Sequence, residues 1–342
     1  MAELTYDRVV VGAGIIGACT AYQLVKAGHR SVLLLDQFPL PHSRGSSHGQ
    51  SRITRTAYRD PVQGQMARRS RTLWDDIQRH AGETLCHDCP MLLVSAAENR
   101  ELFETYLACL DDQTVYSGRQ LAELVPVARF LATTVGCLDR TAGVLRADRC
   151  LEAVRRLYLA AGGSLRDSWL PLAPLLAPLR VPVTYWRLRP GAKAPLVGID
   201  LGPGDNTSHF YWLPSLEYPG LVKLCIHTGV PCDPDRRDAV STEAVLRRLT
   251  EYVTQNFPGL EPEPAIVETC MYTTTPDERC ILDVHPAHPN IVFAAGMSGE
   301  GFKMGPVFGE VLQRLIDGEP SQFDLARFSL RRFDGARQLA GL

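Results

Sequence analysis

The sequence predicts a mixed α/β protein, and two stretches carry that prediction. Residues 6–36, YDRVVVGAGIIGACTAYQLVKAGHRSVLLLD, and residues 289–319, PNIVFAAGMSGEGFKMGPVFGEVLQRLIDGE, each read as apolar strand, glycine-rich turn and helix. Composition is the third observation. A chain of 342 residues, 45% hydrophobic and 22% charged, is ordinary globular material with length for a large core and two domains.

The first unit follows a strict order. Residues 9–11 form a short β-branched strand, and GAGIIG follows at once. An amphipathic helix over about 16–27 ends at Gly28 as a C-cap glycine, and SVLLLD closes a βαβ unit of roughly 30 residues. Gly12 permits the tight turn, Gly14 lets the backbone approach a pyrophosphate, and Gly17 lets the helix pack closely on the sheet. The helix N-terminus faces the phosphates. Asp36 ends the second strand, where a carboxylate accepts hydrogen bonds from a ribose. The pattern predicts a bound dinucleotide and does not separate FAD from NAD.

Residues 41–60, PHSRGSSHGQSRITRTAYRD, come next. Arg52 and Arg55 sit three apart, and on a helix that spacing turns both guanidinium groups into one pocket. Helical sequence resumes at GQMARRSRTLWDDIQRHAG. In the second strand–glycine–helix unit, residues 291–295 form the strand and 306–316 the helix. The loop GMSGEGFKMG between them holds Lys303 amid four glycines and brings backbone N–H groups close to a ligand. The stretch KLCIHTG places Lys223 and His227 on a strand. Cys270 lies in ETCMYTTTPDE, where a buried spectator, a disulfide half, a metal ligand and a nucleophile all remain open.

Several classes are excluded or disfavoured. A net charge of −2 without a basic block gives no reason to expect nucleic acid or an anionic membrane. The N-terminus lacks a basic segment followed by a cleavable apolar stretch. The most apolar run, WLPLAPLLAPLRVPV from Trp169, is broken by four prolines and an arginine and is too short to span a membrane. A soluble intracellular protein is expected, with its ten cysteines mostly free thiols. Cys86 and Cys89 form a lone CxxC without a second pair at zinc spacing, so no metal is expected.

The motifs VVVGAGIIG…LLLD, GSSHGQSRITRTAYRD, GVL at Gly143, CMYTTTPDE, ILDVHP and AAGMSGEGFKMGP occur in the order found in one family. The chain resembles the sarcosine and L-pipecolate oxidases, flavoenzymes of the D-amino-acid-oxidase-like group. The resemblance implies a Rossmann-like FAD-binding domain over 1–85, 140–168 and 270–335. An inserted antiparallel-sheet substrate domain takes 86–139 and 169–269. It implies FAD joined to Cys270 by a thioether at the flavin 8-methyl carbon. Lys303 then lies beside the flavin ring and assists oxygen reduction, and Arg55 binds the substrate carboxylate. Arg52 neighbours the flavin, and His227 and Tyr272 belong to the substrate cavity. Ser51, Gly299 and Gly301 join the cofactor contacts. The implied reaction takes a small secondary amino acid and O2 to an imine and H2O2, in a monomer located in the peroxisome through its import receptor, or otherwise in the cytoplasm.

Three departures stand against that pattern. After Gly163 the family continues through a strand, a hairpin and a segment of the type V-V-x-A-G-x-W, and no copy of that segment occurs before Tyr185. Loss of those strands is expected to expose sheet edges. Glu300 replaces a histidine in the glycine loop. The C-terminal tripeptide Ala340-Gly341-Leu342 has glycine where a peroxisomal signal has a basic residue. A truncated non-catalytic relative and an NAD-dependent dehydrogenase are the alternatives.

Overall fold

The computed structural model describes residues 5–167, 176–202, 209–286 and 288–333. Residues 168–175 within the divergent stretch, and the C-terminal tripeptide, lie outside the described residues.

Strand Arg8–Val11 runs parallel to Val32–Asp36, which pairs in parallel with Ser164–Asp167. The helix Ile15–Lys26 connects the first two strands, and Ala147–Ala160 precedes the third. Small residues such as Ala18 and Ala21 let the first helix lie close to the sheet, where Val32, Leu34 and Tyr158 complete the core. The period of two turns Val9 and Val11 to the opposite face, where they are 52% and 45% exposed. Among the described residues the outer edge of Arg8–Val11 carries no partner strand.

The second glycine unit differs from expectation at its helix. The helix spans Gly301–Asp317, so Lys303 occupies the first turn and not a loop. Glycine does not break it here because tertiary contact demands glycine. A Cβ on Gly309 would stand 2.7 Å from the carbonyl carbon of Cys19, and one on Gly305 would stand 2.8 Å from Ile15. The helix is thereby pressed against Ile15–Lys26, and this contact places Lys303. Its preceding strand, His288–Ala295, pairs only with Ile281–His285 among the described residues.

The arginine-bearing segment is not helical. Ser51–Thr54 is a strand paired antiparallel with Gly143–Arg146, and the next helix begins at Pro61 behind an Asp60 cap. β-Branched Ile53, Thr54 and Thr56 favour extension. The buried Asp139 carboxylate secures it by accepting from the Thr56 and Ala57 N–H groups at 2.6 and 3.0 Å. Arg52 and Arg55 reach one cavity from a strand and the turn that follows it, without a shared helical face.

Among the described residues nine strands form the large sheet. At one end of it lies the antiparallel pair Ala177–Leu188 and Leu260–Thr274, with Val181 opposite Cys270 and Leu179 opposite Tyr272. On its other edge Ala177–Leu188 pairs with Leu221–Ile226, with Tyr185 opposite Lys223. Helix Glu243–Asn256 covers one face, burying Trp186, Trp212, Val222, Leu224 and Ile226 with Phe257. The alternate positions Lys223 and Cys225 turn to the other face. No helix among the described residues is long and apolar enough to cross a membrane.

Candidate active site

A cavity of about 430 Å³ is lined by that second face, by the Ser51–Thr54 strand and its following turn, and by the first turn of Gly301–Asp317. It gathers Ser51, Arg52, Arg55, His227, Cys270, Tyr272, Gly299 and Lys303 from distant parts of the sequence. Gly301 does not line it. Gly12, Gly14, Gly17 and Asp36 stand apart, at the glycine turn.

At one end lies a cationic pair. Arg55 is buried, its guanidinium carbon lies 4.6 Å from the centre of the Tyr58 ring, and its Nη1 has no hydrogen-bond partner among the described residues. The buried Tyr58 hydroxyl is also without a hydrogen-bond partner among them. Two unpartnered polar groups in one cavity call for a ligand oxygen, because an unsatisfied buried donor costs about 1–3 kcal/mol. Burial, and then Arg55, push the Lys303 ammonium down to about 8, while the Glu300 carboxylate opposes them. Glu300 itself accepts from Gln63 Nε2 at 3.0 Å. The Lys303 carbonyl accepts from Ser70 Oγ and Trp74 Nε1, which ties down this turn of the helix.

Beside the cations stands an aromatic stack. His227 lies over His209 with ring centres 4.6 Å apart, and Tyr272 flanks it at 5.2 Å. Burial, then Lys303 and Arg55, push His227 down to about 4, so it is neutral at pH 7. Gly299, at φ +84°, closes over this group, and a Cβ there would meet His227 Cε1 at 2.7 Å.

The other end holds Cys270. Its Sγ lies 4.0 Å from Arg52 Nη2, and Arg52 also lies over the Phe302 ring at 5.4 Å. Gly49, at φ +97°, lets the guanidinium pack against the backbone, since a Cβ would stand 3.3 Å from Nη1. His48 Nε2 meets the Thr269 carbonyl at 2.9 Å, beside the cysteine strand. The ten cysteines are all free, and no group of residues able to hold a metal ion occurs among the described residues.

The glycine turn fits a dinucleotide. A Cβ on Gly17 would stand 1.8 Å from the Gly12 carbonyl oxygen, so only glycine closes this turn. Asp36 accepts from Ala13 N–H at 2.7 Å and Phe38 N–H at 3.1 Å, and meets His42 Nε2 at 3.0 Å. It therefore braces the turn, and of about four acceptor positions one is left for a ribose hydroxyl. Ser47 Oγ accepts from Ile15 N–H at the helix N-terminus.

Sequence reasoning gave no role to Tyr58, Tyr211, His48, His209, Glu217 or Lys223. One signal was available. Lys223, Cys225 and His227 alternate with apolar residues, which marks one polar face of a strand. His209 and Glu217 offer no comparable pattern.

The family profile described as FAD dependent oxidoreductase matches residues 7–168 and 158–315. The peroxisomal sarcosine oxidase of Mus musculus is 40% identical over 381 aligned positions, covering 96% of each chain, and that of Homo sapiens is 38% identical with the same coverage. An alignment of 381 positions exceeds this chain's length, so the relatives contain stretches that this chain does not. The two profile segments overlap at 158–168. Among solved structures, the fold is similar to L-proline dehydrogenase from P. horikoshii, with TM-score 0.80 and 18% identity over 97% of this chain and 98% of that one. Glycine oxidase from Geobacillus kaustophilus gives 0.77 and 17% over 96% and 98%. A glycine turn that fits a dinucleotide, a cavity that joins Cys270 to a cationic pocket, and these likenesses agree: the chain belongs to the FAD dependent oxidoreductase family and is a flavin-dependent oxidoreductase.

Proposed function

We propose that this enzyme oxidises the C–N bond of a small secondary amino acid, sarcosine or L-pipecolate, to an imine, with O2 reduced to H2O2. One observation carries the reading: the unpartnered Arg55 Nη1 and Tyr58 hydroxyl share a cavity with Lys303, where a substrate carboxylate completes them. The substrate loses two electrons and two protons, one hydrogen from carbon and one from nitrogen, and oxygen takes up the equivalent. FAD, when bound, supplies the hydride-accepting ring. Arg55 and Lys303 hold the carboxylate. The same positive field disfavours an ammonium and so favours the neutral amine that reacts. His227, uncharged at neutral pH, accepts a hydrogen bond or a proton beside it.

Two ammonium groups share the cavity, and they suit different tasks. Lys303 stands with Arg55 and is opposed by Glu300. Lys223 forms no ion pair among the described residues and lies near Arg52 and Cys270. The oxygen role that the resemblance implies for Lys303 is therefore better served by Lys223, whose ammonium has no direct counter-ion among the described residues and stabilises developing superoxide. Cys270 would hold FAD by a thioether, a linkage whose formation removes two hydrogens net, which O2 would take up.

Relatives named peroxisomal support a peroxisomal location, the cytoplasm being the alternative. A relative named monomeric sarcosine oxidase supports a monomer. Peroxide release on adding sarcosine or L-pipecolate to the purified protein tests the activity, and flavin-loaded protein reduced by neither sinks it. The exposed Val9 and Val11, on an edge with no partner strand among the described residues, favour a second reading, a relative without turnover, which predicts a colourless protein.

A further inference from the structure

The chain contains four lysines. Lys26 and Lys193 are exposed, whereas Lys223 and Lys303 line the cavity. Lys223 is 4% exposed. Its ammonium donates to the Ser51 carbonyl at 3.1 Å and to Ser51 Oγ at 3.4 Å. That hydroxyl donates in turn to Glu217 Oε1 at 2.9 Å. The Tyr185 hydroxyl donates to the same oxygen at 2.9 Å, and the Tyr185 ring centre lies 5.6 Å from the Lys223 nitrogen. Glu217 Oε2 is buried and has no hydrogen-bond partner among the described residues.

A carboxylate with one buried oxygen unpartnered is costly, and neither Ser51 nor Tyr185 is charged to offset it. The nearest compensation is the ammonium one hydroxyl away. The reverse also holds. Lys223 faces Arg52 as well as the thiols of Cys225 and Cys270, and burial and Arg52 both work against its charge. Glu217 supplies the opposing negative charge without displacing the ammonium from the cavity wall, as a direct ion pair would.

We propose that Glu217, acting through the Ser51 hydroxyl, is the positioning residue that keeps Lys223 protonated and directed at the Cys270 side of the cavity. The chain Glu217–Ser51–Lys223 holds a cation at a fixed point while leaving its remaining hydrogen free for a ligand. Its consequence for turnover rests on the oxidase reading; its structural content does not.

The test is an NMR titration of the full-length protein carrying lysine labelled with 13C at Cε. Four signals are expected, assigned by Lys223→Met and Lys303→Met. Glu217→Gln is expected to lower the Lys223 midpoint by ~1 pH unit, leaving Lys303 in place. Ser51→Ala is expected to lower it by less, and Glu217→Asp to restore it. These variants also supply the test should Glu217→Gln fail to fold. A Lys223 midpoint unmoved by Glu217→Gln or Ser51→Ala overturns the proposal, as does an equal movement of Lys303, which marks general loosening. In turnover, kcat/KM for O2 is expected to fall ~10-fold in Glu217→Gln at the pH between the two midpoints, and to fall more than kcat/KM for the amino acid. If the titration behaves as expected while the wild type releases no peroxide, the oxidase reading has failed and the positioning role stands.

Discussion

Arg52 Nη2 stands 4.0 Å from Cys270 Sγ, and the carbonyls of Ser46, His48 and Ser51 hold the guanidinium in place. A fixed cation beside a sulfur stabilises negative charge as it develops there. Cys270→Ser is expected to abolish covalent flavin, seen as colourless protein after acid precipitation. Arg52→Met should leave the thiol present and slow attachment by ~10-fold or more. Flavin retained through acid in Cys270→Ser would rule out this linkage.

Arg55 offers a different measurement. With Nη1 unpartnered, its guanidinium is poised for a carboxylate. A charge-assisted hydrogen bond contributes about 1.5–3 kcal/mol, so Arg55→Met should lower kcat/KM for the amino acid by ~10- to 100-fold. Flavin content should be unchanged, and an equal loss of both would make Arg55 structural.

The pH dependence follows from Lys303 and His227. Lys303 is charged below about 8, so carboxylate binding should weaken as pH rises through that value. Because Glu300 works to keep Lys303 charged, Glu300→Gln should move this limb to lower pH, read from the pH profile of KM. His227 has the opposite consequence for stability. Its folded value of about 4 lies below the ordinary 6.5, so the unfolded chain binds more protons between them. Its contribution is present above 6.5 and is lost as pH falls toward 4, which thermal melts across that range should register.

Gly309 tests how the Lys303 helix is placed. A Cβ there meets Cys19 backbone atoms at 2.7 and 2.9 Å, and backbone cannot swing aside. Gly309→Ala should cost about 1–3 kcal/mol and lower the melting temperature, although alanine is the better helix former. Substitution without loss would show that the two helices sit farther apart.

The open edge predicts the reverse. Val9 is 52% exposed on a strand whose outer edge has no partner among the described residues. Val9→Lys should change stability by less than about 0.5 kcal/mol and reduce self-association, measured by light scattering. A large drop in melting temperature would mean that this face is covered in solution.

Much of the fold was legible because its signals are local. The glycine turn, its flanking strands and the Lys303 unit can be read from spacing, and the structure moves their boundaries by only a few residues except at one helix. That helix begins at Gly301 and not near 306 because glycines that look like breakers serve a close helix contact. Arg52 and Arg55 show the converse. Their spacing fits a helix, yet Asp139, far along the chain, holds that segment extended.

The sequence by itself determined a dinucleotide-binding α/β protein and singled out one cysteine segment and two cationic segments, since glycine geometry and side-chain periodicity act over short stretches. Only the tertiary structure decided which of these meet. Ser51 and Lys223 are joined by pairing between distant segments, and Glu217 enters their network from a loop without pattern of its own. Which buried group is left unpartnered, and so waits for a ligand, is a property of packing. Arg55 and Tyr58 acquire that property only when the chain closes around them.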